Sequence, residues 1–150
     1  MRLLEILKDT EYNLDQFNSG LIEQLENRMT YKEMKSGQVP YVECLVRKKD
    51  IKLTPEEVVR QLYLLVLNQQ YQYPYGRMQL EYAVHFGREV KRADIVIMDK
   101  IQPTVPYIIV EVKKPKLKDG KEQLKSYCNA TGSTMAIWTN GQAITYYHRK

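Results

Sequence analysis

Two apolar runs rich in β-branched residues, ADIVIM at 93–98 and YIIVEV at 107–112, limit what this chain can fold into more than any other feature. Each is six residues long, short for a helix and of the kind that makes a central strand covered on both faces. Pro103 and Pro106 lie between the runs and Pro115 closes the second. Each run nonetheless carries an acid: Asp94 opens the first, and Glu111 nears the end of the second with Lys113 two residues on. Side chains alternate along a strand, so Tyr107, Ile109, Glu111 and Lys113 are expected on one face and Ile108, Val110 and Val112 on the other. A carboxylate and an ammonium at the end of a buried strand are costly to desolvate, so they need a partner or a job.

The flanking sequence extends this pair into an ordered series. Thr54-Pro55-Glu56-Glu57 is a strong helix start, with Thr54 at the N-cap, Pro55 at the first helical position and Glu57 placed to close a capping box. The helix runs on through VVRQLYLLVLN, nearly all apolar and therefore packed on more than one side. A tyrosine-rich break around Pro74 follows, then a strand over Met78 to Phe86 that ends at Gly87. After the two apolar strands, Gly120 to Ala130 is expected to be helical. Thr134 to Thr139 and Ala143 to His148 are expected to be strands joined around Asn140-Gly141. The order is αβββαβ with one further strand. Residues 1–53 are expected to be a helical extension plus one extended segment. Ser19-Gly20 separates two helical patterns there, and Gln38 to Arg47 is the extended part. The 150 residues suit a single domain, with its core in 54–150.

Several function classes fall away. No apolar run approaches the roughly 18 residues a membrane helix needs, and the N-terminus lacks the features of a secretory signal. Cys44 and Cys128 are far apart and without zinc spacing, which points to buried thiols in a reducing, cytoplasmic compartment. The only Gly-Lys, at Gly120-Lys121, is followed by Glu122, so there is no phosphate loop and ATP is not expected to be used by this chain itself. His85 and His148 have no partners at metal-ligand spacing. The formal charge of +5 permits a polyanionic partner, and its placement is more informative than its size. Residues 1–53 balance nine basic against nine acidic side chains, so the excess lies after them, and six lysines fall between Lys113 and Lys125. A solvated lysine-rich loop is the alternative to a polyanion contact there.

If adjacent strands bring Asp94 beside Glu111, two carboxylates and a lysine converge on one spot, a set suited to a divalent cation held by oxygens. Such a cation activates water and stabilises charge on a phosphodiester. The bare acid-x-Lys pattern is not selective. It also occurs at Glu33-Lys35, Asp50-Lys52, Glu89-Lys91 and Asp119-Lys121, in contexts that look polar, helical or turn-like. Only Glu111-Lys113 follows a β-branched apolar run, and context selects it. A strand end carrying a surface salt bridge is the competing reading.

The Asp94…Glu111-Val112-Lys113 arrangement resembles the PD-(D/E)xK nuclease superfamily, with Ala93 standing where the name has Pro, a position that superfamily varies freely. Gln123 and Tyr127, one helical turn apart, resemble the Gln-x-x-x-Tyr motif of its RecB-like members. The segments LTPEEVVRQ, LEYAVHFGREVKRADIVI, IIVEVKKP and WTNGQAITYY, in that order, are similar to the N-terminal nuclease domain of the R subunit of type I restriction enzymes, over about residues 40–150. The resemblance implies a restriction-endonuclease-like αβββαβ core, a central mixed sheet flanked by helices. It implies Mg²⁺ held by Asp94, Glu111 and the backbone carbonyl of Val112, with Lys113 as the catalytic lysine. It further implies double-stranded DNA as substrate, motor domains in a longer chain and modification and specificity subunits as partners, and no membrane.

Around that centre, Gln123 and Tyr127 are accessory or DNA-proximal candidates. Lys91, Arg92, Lys114, Lys116 and Lys118 are candidate phosphate contacts, which position DNA without reading its sequence. Glu57 is contested between its local cap, the favoured reading, and a reach to the metal site, with Gln61 one turn on along the same face. Glu81 either lines the site or faces solvent. The tyrosines around Pro74 are expected to pack on the core rather than to stack on bases. Two rival functions remain open: a catalytically silent DNA-binding or assembly module on the same fold, and a repair or junction-resolving nuclease.

Overall fold

The structure, a computed structural model, describes residues 3–113, 121–139 and 144–149. Its elements are α1 (Leu3–Leu7), α2 (Ser19–Asn27), β1 (Thr30–Met34), β2 (Gly37–Cys44), β3 (Lys49–Lys52), α3 (Pro55–Gln69), β4 (Met78–Phe86), β5 (Glu89–Met98), β6 (Pro106–Val112), α4 (Lys121–Thr131), β7 (Met135–Thr139) and β8 (Ile144–His148). A five-stranded mixed sheet has the order β4-β5-β6-β7-β8. Its pairs are antiparallel except β6 with β7, which are parallel because α4 carries the chain back over the sheet between them. The helix, three strands, helix and two strands expected after residue 53 are all present. The Asn140-Gly141 turn lies outside the described residues, although Thr139 and Ile144 on either side of it pair. No helix among the described residues is long and apolar enough to cross a membrane.

The N-terminal third differs from expectation. The helices α1 and α2 form, but residues 30–52 make a separate three-stranded antiparallel sheet, β1-β2-β3, rather than one extended segment. Its outer strands, TYKEM and KDIK, are mostly exposed and carry no apolar alternation, so nothing in their sequence marks them as strands. Ser19-Gly20 does not separate two helices either. Both residues lie in the first turn of α2, which is capped by the Asn18 side chain accepting from the Leu21 N–H at 2.9 Å.

Helix α3 is buried on nearly every side, as its apolar sequence requires, and contacts α1, α2 and β6. Val58, Leu62, Leu64 and Leu65 share one core with Ile108, Val110 and Val112. Ile109 faces the other way, into a second core with Leu124, Tyr127, Cys128 and Trp138 under α4. The expected alternation along β6 therefore holds, except at Tyr107, which packs with the α3 core. The pairing slips by one residue there, from Ile97↔Ile108 to Met98↔Pro106, leaving Tyr107 as the extra residue of a bulge. Cys44 and Cys128 are buried and unpaired. Tyr73 and Tyr75 pack against the core as expected, while Tyr71 is exposed.

The β4–β5 hairpin changes faces part-way along. Met78 and Leu80 pack in the α3 core, yet Tyr82, Val84 and Phe86, of the same parity, pack in the α4 core. On β5, Ile95 and Ile97 belong to the α3 core and Ala93 to the α4 core. The register is continuous through the switch, with Leu80↔Ile95 and Tyr82↔Ala93. The change falls at Glu81, whose φ of 55° is left-handed, a conformation that costs a non-glycine residue about 1–3 kcal/mol. Asp94 lies across from it, at the corner where the tip of the hairpin turns from one helix toward the other.

Candidate active site

One register step beyond Ile95↔Val110, Asp94 falls opposite Glu111 at the ends of two neighbouring strands. Both are buried, Glu111 completely and Asp94 with 6% of its surface exposed. Their carboxylates complete the ladder where the backbone pairing stops. The Asp94 N–H donates to Glu111 Oε1 at 2.9 Å, and the Val112 N–H donates to Asp94 Oδ2 at 2.7 Å. Each acid thereby ties one oxygen to the other's strand. The second oxygen of each faces a cation: Lys113 Nζ lies 2.9 Å from Glu111 Oε2, and Arg60 Nη1 lies 3.7 Å from Asp94 Oδ1. Glu111 Oε2 is fully buried and no donor is well aligned with it, so the lysine meets it as an ion pair rather than as a good hydrogen bond.

The ionisation of this pair follows from its burial. Desolvation, reinforced by the neighbouring Glu111 carboxylate, pushes Asp94 up to about 7 against the pull of the Val112 N–H, Lys113 and Arg60. Glu111 is also pushed up, chiefly by burial, with Lys113 opposing. Burial alone would depress Lys113, but Glu111 and then Asp94 outweigh it and hold its ammonium above the ordinary lysine range. Two acids are thus kept in a setting that penalises their charge, with only part of the compensation supplied.

Helix α3 provides a second tier. The Glu57 N–H donates to Thr54 Oγ1 at 3.2 Å, the first half of the expected capping box. The second half does not form, because the Glu57 carboxylate turns toward the sheet. It accepts from Arg60, from Arg47 at 2.7 Å and from Gln61 at 3.3 Å. The favoured reading of Glu57 as a cap is therefore only half right: its backbone is capped and its side chain belongs to this cluster. Burial would raise Glu57, yet the bonds from Arg60 and Arg47 hold it below the ordinary carboxyl range. Glu81, half-exposed, lines the site by accepting from Arg60 at 2.6 Å. Arg60 and Arg47 carry this tier, and neither stood out in the sequence. An arginine one turn after Glu57 inside an almost wholly apolar helix was the available signal, since a buried guanidinium demands acids around it.

The family model for the Type I restriction enzyme R protein N terminus matches residues 55–150, the span from α3 through β8 that holds Glu57, Arg60, Asp94, Glu111 and Lys113. The chain belongs to that family. The match begins at Pro55, later than the residue near 40 expected, so the small N-terminal sheet and Arg47 lie outside it. Among curated proteins no match is found. Membership ties the chain to restriction enzymes at the level of an R-protein N-terminal domain.

In this R-protein N-terminal domain, α4 brings Tyr127 into the α4 core, edge-on to Phe86 with ring centroids 5.6 Å apart. Burial, with Glu111 nearby, pushes its phenol up to about 12, and Gln123 interacts with the hydroxyl from one turn away. The i,i+4 pair thus reaches the neighbourhood of the acids. Lys91 and Arg92 are less directly involved: Lys91 lies 3.9 Å from Glu89 and over the Phe86 ring, and Arg92 donates to the Glu81 carbonyl at 3.0 Å. Lys114, Lys116 and Lys118 lie outside the described residues.

The donor set fits a hard divalent cation. Glu111 Oε2, buried and met by the Lys113 ammonium, and Asp94 Oδ1 are the oxygens not tied to backbone N–H groups. Among the described residues no three His, Cys, Asp or Glu side chains form a ready cage. A bound ion would therefore complete its shell from backbone carbonyl and water, as Mg²⁺ characteristically does.

Proposed function

We propose that this domain is a Mg²⁺-dependent endodeoxyribonuclease with a PD-(D/E)xK core, hydrolysing phosphodiester bonds of double-stranded DNA as the cleaving module of a type I restriction R subunit. The observation that carries the reading is the reciprocal tie between Asp94 and Glu111, which fixes one oxygen of each acid and leaves the other for a cation. Asp94, Glu111 and the Val112 carbonyl would hold Mg²⁺, which when bound supplies an activated water and stabilises charge on the phosphate. Lys113 stays charged at neutral pH, because its ion pair with Glu111 holds the ammonium. It therefore donates to water or to a phosphate oxygen and is not a free base. Tyr127, with its phenol kept neutral, remains a hydrogen-bond donor beside the acids, and Gln123 sets its orientation. Lys91, Arg92, Lys114, Lys116 and Lys118 would contact phosphates around this centre. Motor domains and the modification and specificity subunits would bring DNA to it, and ATP would be used elsewhere in that assembly.

The test is plasmid cleavage with Mg²⁺ by the full chain assembled with its motor and specificity partners, comparing wild type, Asp94→Ala and Lys113→Ala. Loss of cleavage in both variants is expected. Cleavage surviving both substitutions would sink the assignment. A wild type that binds DNA in the assembled complex without cutting it would favour a silent DNA-binding module on the same fold.

A further inference from the structure

We infer that Arg60 is the resident second cation of this site: its guanidinium stands among Asp94, Glu81 and Glu57 where another divalent ion would otherwise bind, and so confines the domain to a single metal ion. The inference rests on the nuclease reading and deepens it. Arg60 is 4% exposed. Its Nη2 donates to Glu57, while Nη1 lies 2.6 Å from Glu81 Oε1 and 3.7 Å from Asp94 Oδ1. Two-metal phosphodiesterases keep their ions about 3.5–4 Å apart. Here the guanidinium borders the Asp94 oxygen that a second ion would have to share with the first.

Charge and chemistry agree with that placement. When all are ionised, the carboxylates of Glu57, Glu81, Asp94 and Glu111 face the cations of Arg47, Arg60 and Lys113, leaving one net negative charge. One divalent ion reverses that sign, and a second would enter a buried cluster that is already positive. A guanidinium stays protonated at any working pH, so titration does not vacate the place. At 3.7 Å it neutralises Asp94 without forming a hydrogen bond to it, so Oδ1 keeps its lone pairs for a metal. Arg60 is accordingly a positioning residue. It holds Glu57 and Glu81 back and leaves Asp94 usable. Without it, the oxygens of Glu81 and Asp94 would border a gap, where a divalent cation could complete its shell with water.

Titration of the full chain with Mn²⁺ alone, with free Mn²⁺ followed by electron paramagnetic resonance, tests this. The wild type should bind one Mn²⁺ per chain, lost in Asp94→Asn/Glu111→Gln. Arg60→Lys, which keeps the charge, should still bind one. Arg60→Gln should gain a second, weaker Mn²⁺ that disappears again when Glu81→Gln is added. Should Arg60→Gln not fold, Glu57→Gln/Arg47→Gln/Arg60→Gln removes both guanidiniums together with the acid they share, leaves the same net charge as Arg60→Gln, and should show the same second ion on Glu81 and Asp94. Two Mn²⁺ in the wild type, or an unchanged single Mn²⁺ in the folded charge-removing variant, would overturn the role of Arg60 and leave the nuclease reading standing. An equal Mn²⁺ count in the wild type and in Asp94→Asn/Glu111→Gln would overturn the nuclease reading itself, and this inference with it.

Discussion

Glu57 and Asp94 are both buried acids beside the same arginine, and their environments push them in opposite directions. Glu57 accepts from two guanidiniums, which outweigh its desolvation and hold its carboxyl low, and from an amide. Asp94 has one backbone N–H and two cations that are farther off or engaged elsewhere, and desolvation beside Glu111 raises it to about 7. The first acid is satisfied by the fold. The second is held in place with part of its compensation missing, the condition expected of a group waiting for a ligand.

Substitutions on the two sides should separate those roles. The largest effect is expected on the Asp94 side, where Lys113→Ala and Asp94→Ala should each lower plasmid cleavage by about a thousandfold while leaving the fold intact by circular dichroism. If Glu57→Gln, still folded, lost as much cleavage, the comparison would break and Glu57 would be a working acid. Next in size is stability on the Glu57 side. Glu57→Ala removes a buried partner from two guanidiniums and should cost about 3 kcal/mol by urea denaturation.

Asp94→Asn should do the reverse, stabilising the metal-free domain by about 1–2 kcal/mol at pH 8. The acid rises from 3.8 to about 7 on folding. The folded state therefore holds the proton more tightly than the unfolded chain, and the stability this contributes is lost as pH rises through about 7. The gap between variant and wild type should open between about pH 4 and pH 7 and vanish below it. Thermal melts across that range in a chelator would show it, and a constant gap would count against a raised Asp94. The smallest effect concerns the corner that brings the two sides together. Glu81→Gly relieves a left-handed φ but loses a half-exposed ion pair, so its stability should stay within about 1 kcal/mol of wild type. Glu81→Val should cost about 2 kcal/mol, because a β-branched residue resists that conformation.

Much of this was legible before any fold. The β-branched runs bracketed by proline gave β5 and β6, and the Thr-Pro-Glu-Glu start gave α3. The acids that interrupt the two runs marked the site. The helical spacing of Gln123 and Tyr127 brought a third element to it. The small N-terminal sheet was not legible because exposed strands carry no burial pattern to read. Of the other acid-x-Lys pairs, those at Glu33, Asp50 and Glu89 are polar and exposed as expected, but strand rather than helix or turn. Burial rather than secondary structure separates Glu111 from them.

The order of elements, and the presence of charge where a strand should be apolar, are written in the chain, because periodicity and composition are local properties. Which cations answer that charge was decided only in three dimensions. Arg60 lies on a helix 21 residues before Glu81 in the chain, and Asp94 lies 17 before Glu111. Their meeting depends on a left-handed turn at Glu81 and on register, which long-range packing sets. A buried carboxylate must find its partner wherever the fold brings one, and only the closed structure shows that Glu57 found two while Asp94 was left part-satisfied at the corner.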